Sequence, residues 1–381
     1  MKIQQRKFSP DKGWETFGTP LAPTVQHDLV LVFGCSQLVE DPDLYPTLRK
    51  DYPDAAILIN STAGEIIDTE VNDNSLSLTA MAFERTTIKT ASVQIAQGGN
   101  SYETGKKLGE LFDPENLSNV LIISDGQFVN GSELVEGLHT YLPESTIITG
   151  GLAGDGSKFQ RTLVGLNEPA SEGRVVAVGF YGGNLSVSHG SVGGWDSFGP
   201  ERLITRSEGN VLYELDGKPA LEIYKDYLGE FAKELPSTGL LFPLSIRSGD
   251  GDPLVRTILG INEEKNSLVF AGNMPEGSYA RLMKASFDRL IEGAEEAAQN
   301  TMTNAVNGSP DLAILISCVG RKLVLNQRIE EEVEVIKSVY GNNTAITGFY
   351  SYGEISPSYN SARPELHNQT MTITTFTEHT V

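Results

Sequence analysis

A chain of 381 residues with 29 Lys and Arg against 50 Asp and Glu carries a formal net charge of −21. Hydrophobic residues at 39% and charged residues at 21% are the balance of a globular protein with a sizeable core, which excludes a disordered chain. Such acidity, with no local Lys/Arg cluster, repels phosphate backbones and anionic lipid heads, so nucleic acid and membrane are set aside as partners.

The chain opens on a polar, Pro-containing lead segment, residues 1–27, without the apolar stretch of a signal peptide. No later apolar run reaches bilayer length. Two cysteines, Cys35 and Cys318, form no disulfide framework and no CxxC pair for zinc. Together these features read as a reduced, cytoplasmic protein.

An internal repeat follows. Leu29 to Ser36 (LVLVFGCS) is a continuous apolar run of the kind that forms a strand buried on both faces, and a helix-length stretch separates it from AAILINSTAGEI. The order returns at Val120 to Asp125 with STIITGGLAGDG, and again at Leu312 to Cys318 with TAITGFYSYGEI. Cys35 to Gly64 spans 64 − 35 = 29 residues and Asp125 to Gly154 spans 154 − 125 = 29, while Cys318 to Gly353 spans 353 − 318 = 35. A β-rich stretch follows each copy: SLSLTAMAFE, GRVVAVGFYG and TMTITTF. The reading is an α/β protein of two related halves, with mixed sheets built from repeated strand–helix–strand units plus additional strands.

Two helices are legible. Ile329, Val333, Ile336 and Tyr340 share a face that Gly341 terminates, and a second helix is expected from a Ser278 cap to about Ala298. Turn residues at Asp216-Gly217-Lys218-Pro219 mark a boundary, which gives units 28–217 and 218–381.

Each copy ends its second strand in a glycine followed by an acid: Gly64-Glu65, Gly154-Asp155 and Gly353-Glu354. A glycine there admits a ligand close to the backbone, and the acid receives a cation or ammonium; the same pair also serves as a plain solvated turn. The third copy is richer, with Cys318 and Arg321 after one strand, Tyr350 and Ser351 before Gly353, and His367 and Asn368 leading into the last strand. Arg321, Glu354 and Asn368 would suit an amino-acid-like zwitterion, Arg taking the carboxylate and Glu the ammonium. The competing reading is an Arg321–Glu354 ion pair that only staples strands.

Other chemistries have less behind them. No GxxxxGK or GxGxxG follows a strand, so nucleotide phosphates lack a cradle. Asp250 and Asp252 are a fragment of a calcium loop and read as a solvated acidic turn. His27, His139, His189, His367 and His379 are scattered without zinc spacing, and no metal or cofactor is expected. Cys318, His367 and Glu354 are the right types for a Cys-dependent hydrolase, but a cysteine closing a buried strand is expected to be an inert small hydrophobe.

The run LAILISCVGRKLVL with TAITGFYSYGEISP and LHNQTMTI resembles the C-terminal part of the FIST domain, and NSTAGEI, GGLAGDG and RVVAVGFYGGNLSVSHGSVGGW resemble its N-terminal half. The resemblance implies a bacterial-type sensory module that binds a small molecule, with amino acids as proposed ligands and no catalysis. It also implies a separate signalling partner such as a histidine kinase, since residues 28–377 are taken up by the module itself. Some members of the family bind haem and sense nitric oxide, which makes His189 or His367 an alternative axial ligand.

Overall fold

The computed structural model describes all residues except 19, 23, 236, 250–252, 304–307, 359–362 and 380–381, so Asp250 and Asp252 lie outside the described residues. Its architecture is mixed α/β, and the repeat is its organising element. In each copy the first two strands pair in parallel: Leu29–Gly34 with Ala56–Ser61, Leu117–Ser124 with Ile147–Leu152, and Leu312–Cys318 with Ala345–Ser351. Parallel neighbours need a crossover, and helices Leu44–Asp51, Gly131–Tyr141 and Ile329–Tyr340 supply it.

The copies then exchange strands in a closed cycle. Glu65–Ile67 of the first pairs with Ala345–Ser351 of the third. Gly353–Pro357 of the third pairs with Ile147–Leu152 of the second, and Val164–Leu166 of the second pairs with Ala56–Ser61 of the first. The outer edges are shared in the opposite sense: Thr87–Gln94 joins the second copy and Leu185–Val192 joins the third. The lead segment completes this set, because its strand Lys2–Ser9 pairs with Leu76–Ala82 of the first copy. Where the ring closes, the amino terminus of Met1 lies 3.2 Å from the carboxylate of Glu378. Three six-stranded sheets result, each built from more than one copy.

Side-chain alternation explains why both faces of the central strands are apolar. Leu29, Leu31 and Phe33 meet Leu121, Ile123, Leu312, Ile314 and Ile316 in one cluster inside the ring. The intervening residues face the helices: Val30 and Val32 pack with Leu44 and Leu48, while Val120 and Ile122 join Leu134 and Leu138. Burying a Leu or Ile on this scale stabilises by about 1.5–3 kcal/mol each.

Between the second and third copies the chain builds a separate lobe. Its sheet includes Asp196–Glu208, Val211–Leu215, Leu244–Arg247, Ser267–Phe270 and Tyr279–Lys284, packed on helix Ala220–Leu228. Asp216 and Gly217, both at positive φ, make the turn between Val211–Leu215 and Lys218–Pro219, so residues on either side of it share one sheet.

The expected helix Ile329–Tyr340 is present and ends at Gly341, with φ +80°. The other helix is shorter than its sequence pattern: it spans Phe287–Met302, with Ser286 at the N-cap position. Tyr279–Lys284 is instead a strand paired on both sides, with Leu282 opposite Leu244 and Phe198. Tertiary pairing overrides the local helical spacing there, and Ser278 spends its hydroxyl on Ser248 Oγ at 2.6 Å.

Candidate functional site

The three Gly-acid turns occupy equivalent places, and two of them are near copies. Glu65 accepts from Thr62 Oγ1 at 2.6 Å and from Ser75 Oγ at 2.7 Å. Glu354 accepts from Ser351 Oγ at 2.7 Å and from Thr370 Oγ1 at 2.9 Å. Both carboxyls are buried, and desolvation raises their pKa values to about 7 and about 8, against the opposing pull of those hydroxyls. Gly64 is left-handed at φ +138°, and Lys322 passes beside it, donating to Ala63 O at 2.9 Å and pairing with Asp73.

The second turn differs. After Gly154 and Asp155 the chain makes a loop before Val164 begins the next strand, and Asp155 gathers that loop around itself. Its carboxylate accepts from Phe159 N at 2.8 Å, Gln160 N at 3.0 Å and Arg161 N at 2.8 Å, and from the hydroxyl of Tyr352. Tyr352 belongs to the third copy and stacks on Phe159 at 4.4 Å. A similar wrap surrounds Asp125, which accepts from Gln127 N and Phe128 N, both at 2.7 Å.

The sequence-derived group of the third copy is brought together around one strand end, but its charges are matched internally. Arg321 is fully buried and pairs with Glu332, not Glu354, at 2.8 Å; it also donates to Gly193 O and Leu290 O. Tyr350 donates to the same Glu332 at 2.7 Å. Burial pushes the Cys318 thiol up, with the Glu354 charge adding to the shift. His367 is buried, lies opposite Glu354 in the sheet register, and holds its Nε2 at 3.0 Å from Ser356 O; desolvation lowers its pKa to about 4. Asn368 is 1% exposed, and both amide atoms lack a partner. Among the described residues no cluster of His, Cys, Asp or Glu is arranged to hold a metal ion.

A cavity of about 800 Å³ opens between ring and lobe. Gly126, Gln127 and Asn130 come from the Asp125 wrap, Ser157 and Phe159 from the Asp155 turn, and Tyr352 from the third copy. The lobe contributes Asn210, Leu259 and Phe270. Asn130 caps helix Gly131–Tyr141 through Ser132 N and donates to Asn273 Oδ1 at 2.9 Å, tying ring to lobe. Size and mixed lining are those of a small-molecule site. Gln127, Asn130 and Phe159 carry no motif; the long spacing from Asp155 to the next strand is the one sequence signal that sets this copy apart.

Family models agree with this architecture. The FIST N domain matches residues 28–218 and the FIST C domain residues 220–357. The chain belongs to the FIST family. FIST domains are sensory, ligand-binding modules of signal transduction. An uncharacterized protein of Methanocaldococcus jannaschii is 26% identical over 231 residues, 56% of this chain and 42% of that protein, so the chain spans under half of its relative's length. A cyanuric acid hydrolase from A. caulinodans aligns over 94% of this FIST chain and 92% of its own at a TM-score of 0.39 and 8% identity. Among the described residues no helix is long and apolar enough to cross a membrane.

Proposed function

We propose that this chain is a non-catalytic cytoplasmic sensor that takes a small, polar, amino-acid-like molecule in the cavity between ring and lobe. The carrying observation is that the two bodies wall the cavity jointly, so an occupant braces one against the other. Gln127 and Asn210 offer amide donors and acceptors there, and the stacked Phe159 and Tyr352 offer an apolar face. Units 28–217 and 218–381 act together in this reading, and occupancy passes to a separate signalling protein such as a histidine kinase. The test is a thermal-shift and calorimetric screen of amino acids and related metabolites. A ligand at about 100 times its dissociation constant stabilises by about 2.7 kcal/mol. A broad panel without shift or heat sinks the reading.

A second placement is favoured by Asn368 alone, whose unpartnered amide is the kind of buried group that a ligand satisfies. It keeps the ligand at the third turn, near Gly353 and Glu354. Affinity lost in Asn368→Ala but kept in Gln127→Ala moves the site there.

A further inference from the structure

Across the Asn130–Asn273 hydrogen bond lies a second cavity of about 310 Å³. Its buried wall is Arg256, 4% exposed, whose guanidinium is held by carbonyls: Nη1 donates to Leu366 O at 2.8 Å and Nε to Asn273 O at 3.3 Å. Among the described residues no carboxylate comes within ion-pair distance of it, the charge of Glu365 reaching it only from further off, and Nη2 makes no hydrogen bond. Its direct hydrogen-bond partners are neutral carbonyls, and the Glu365 charge offsets its burial only from beyond contact, so part of its desolvation cost is left for a bound anion to relieve. A second observation points the same way. Ser132 also lines this cavity, in the first turn of helix Gly131–Tyr141, and its Oγ is buried without a partner.

The remaining lining restricts the anion. Ile246, Leu254 and Leu366 give the cavity aliphatic walls. Two carboxylates also border it: Glu365, which accepts from Ser358 Oγ at 2.5 Å, and the exposed Glu136, 3.7 Å from Arg363. Like charge there disfavours a dianion. We propose that this cavity binds a small organic monocarboxylate, its carboxylate on Arg256 Nη2 and Ser132 Oγ and its aliphatic body against Ile246, Leu254 and Leu366. The site is distinct from the large cavity and does not depend on the reading given to it.

The full-length chain is titrated by calorimetry with butyrate, its neutral counterpart butyramide, and inorganic phosphate. Butyrate is expected to bind saturably, with butyramide and phosphate weaker by about tenfold or more, the loss typical of a missing charge-assisted contact. Arg256→Gln is expected to abolish the butyrate heat. Because Arg256 also holds Leu366 and Asn273, two milder variants stand beside it: Ser132→Ala, expected to weaken butyrate by about threefold to tenfold, and Leu254→Phe, which fills the cavity and removes the heat. In Leu254→Phe the response to the amino-acid panel persists, so the failure of either reading shows separately. No heat at millimolar butyrate, equal binding of butyramide, or unchanged affinity in both milder variants overturns the proposal.

Discussion

The first and third acid turns are built alike, and the second is not. Glu65 and Glu354 are sealed by hydroxyls of their own copies, and each leads straight into the strand donated to a neighbour. Asp155 is bound by main-chain donors of a longer loop and by Tyr352 of another copy. The large cavity opens beside this odd turn, because its loop carries Ser157 and Phe159 outward to face the lobe. In this ring the two symmetric turns are closed on themselves, and the copy that departs from symmetry lines the large cavity.

The comparison breaks most visibly at Arg321. Removing one partner of a buried ion pair costs about 3–5 kcal/mol, so Arg321→Ala should lower the urea midpoint sharply while the folded fraction keeps its ligand affinity. An unchanged midpoint with lost affinity would instead make the third turn the site.

Next in size is the pH dependence of the two glutamates. Their folded pKa values, about 7 and about 8, lie above the ordinary 4.5, so between these limits the folded state holds more protons than the unfolded one. Their contribution is therefore full below about pH 4.5 and is lost as pH rises through the folded values. Glu354→Gln removes one such loss, and its stability relative to the parent should rise between pH 5 and 9 by on the order of 3 kcal/mol. Parallel pH curves for variant and parent would show that the carboxyl is not held protonated.

Tyr352→Phe sharpens the contrast at the second turn. It deletes the hydroxyl that donates to the Asp155 carboxylate and accepts from Asp155 N and Phe159 N, but leaves that carboxylate its three main-chain donors, so a loss of about 1.5–3 kcal/mol is expected. Faster proteolysis within residues 156–163, with the other turns unaffected, is the accompanying readout. The smallest stability effect belongs to Gln127→Ala, within about 0.5 kcal/mol, while affinity for the cavity ligand falls about tenfold. A variant that binds as tightly as the parent would remove Gln127 from the site.

Much was legible in the chain itself. Continuous apolar runs at Leu29, Val120 and Leu312 identified strands buried on both faces, and the Gly-acid pairs marked equivalent ends of the second strands. Those are local signals, set by side-chain polarity and by glycine's freedom. The lead segment was less readable: its strand Lys2–Ser9 has mostly half-buried positions and lacks the apolar run that announces a core strand. Arg321 was recognised as important, but its partner was not, since Glu332 lies on the next helix and only packing turns it inward.

The sequence by itself determined three similar strand–helix–strand units, because periodicity and turn chemistry act over a few residues at a time. Only the tertiary structure decided that these units trade strands in a ring, that Tyr279–Lys284 pairs as a strand and not a helix, and that Arg256 lies beneath Gly272 with carbonyls as its hydrogen-bond partners. Each of these depends on which residues, far apart in the chain, share a dry interior, where pairing and desolvation outweigh local preference.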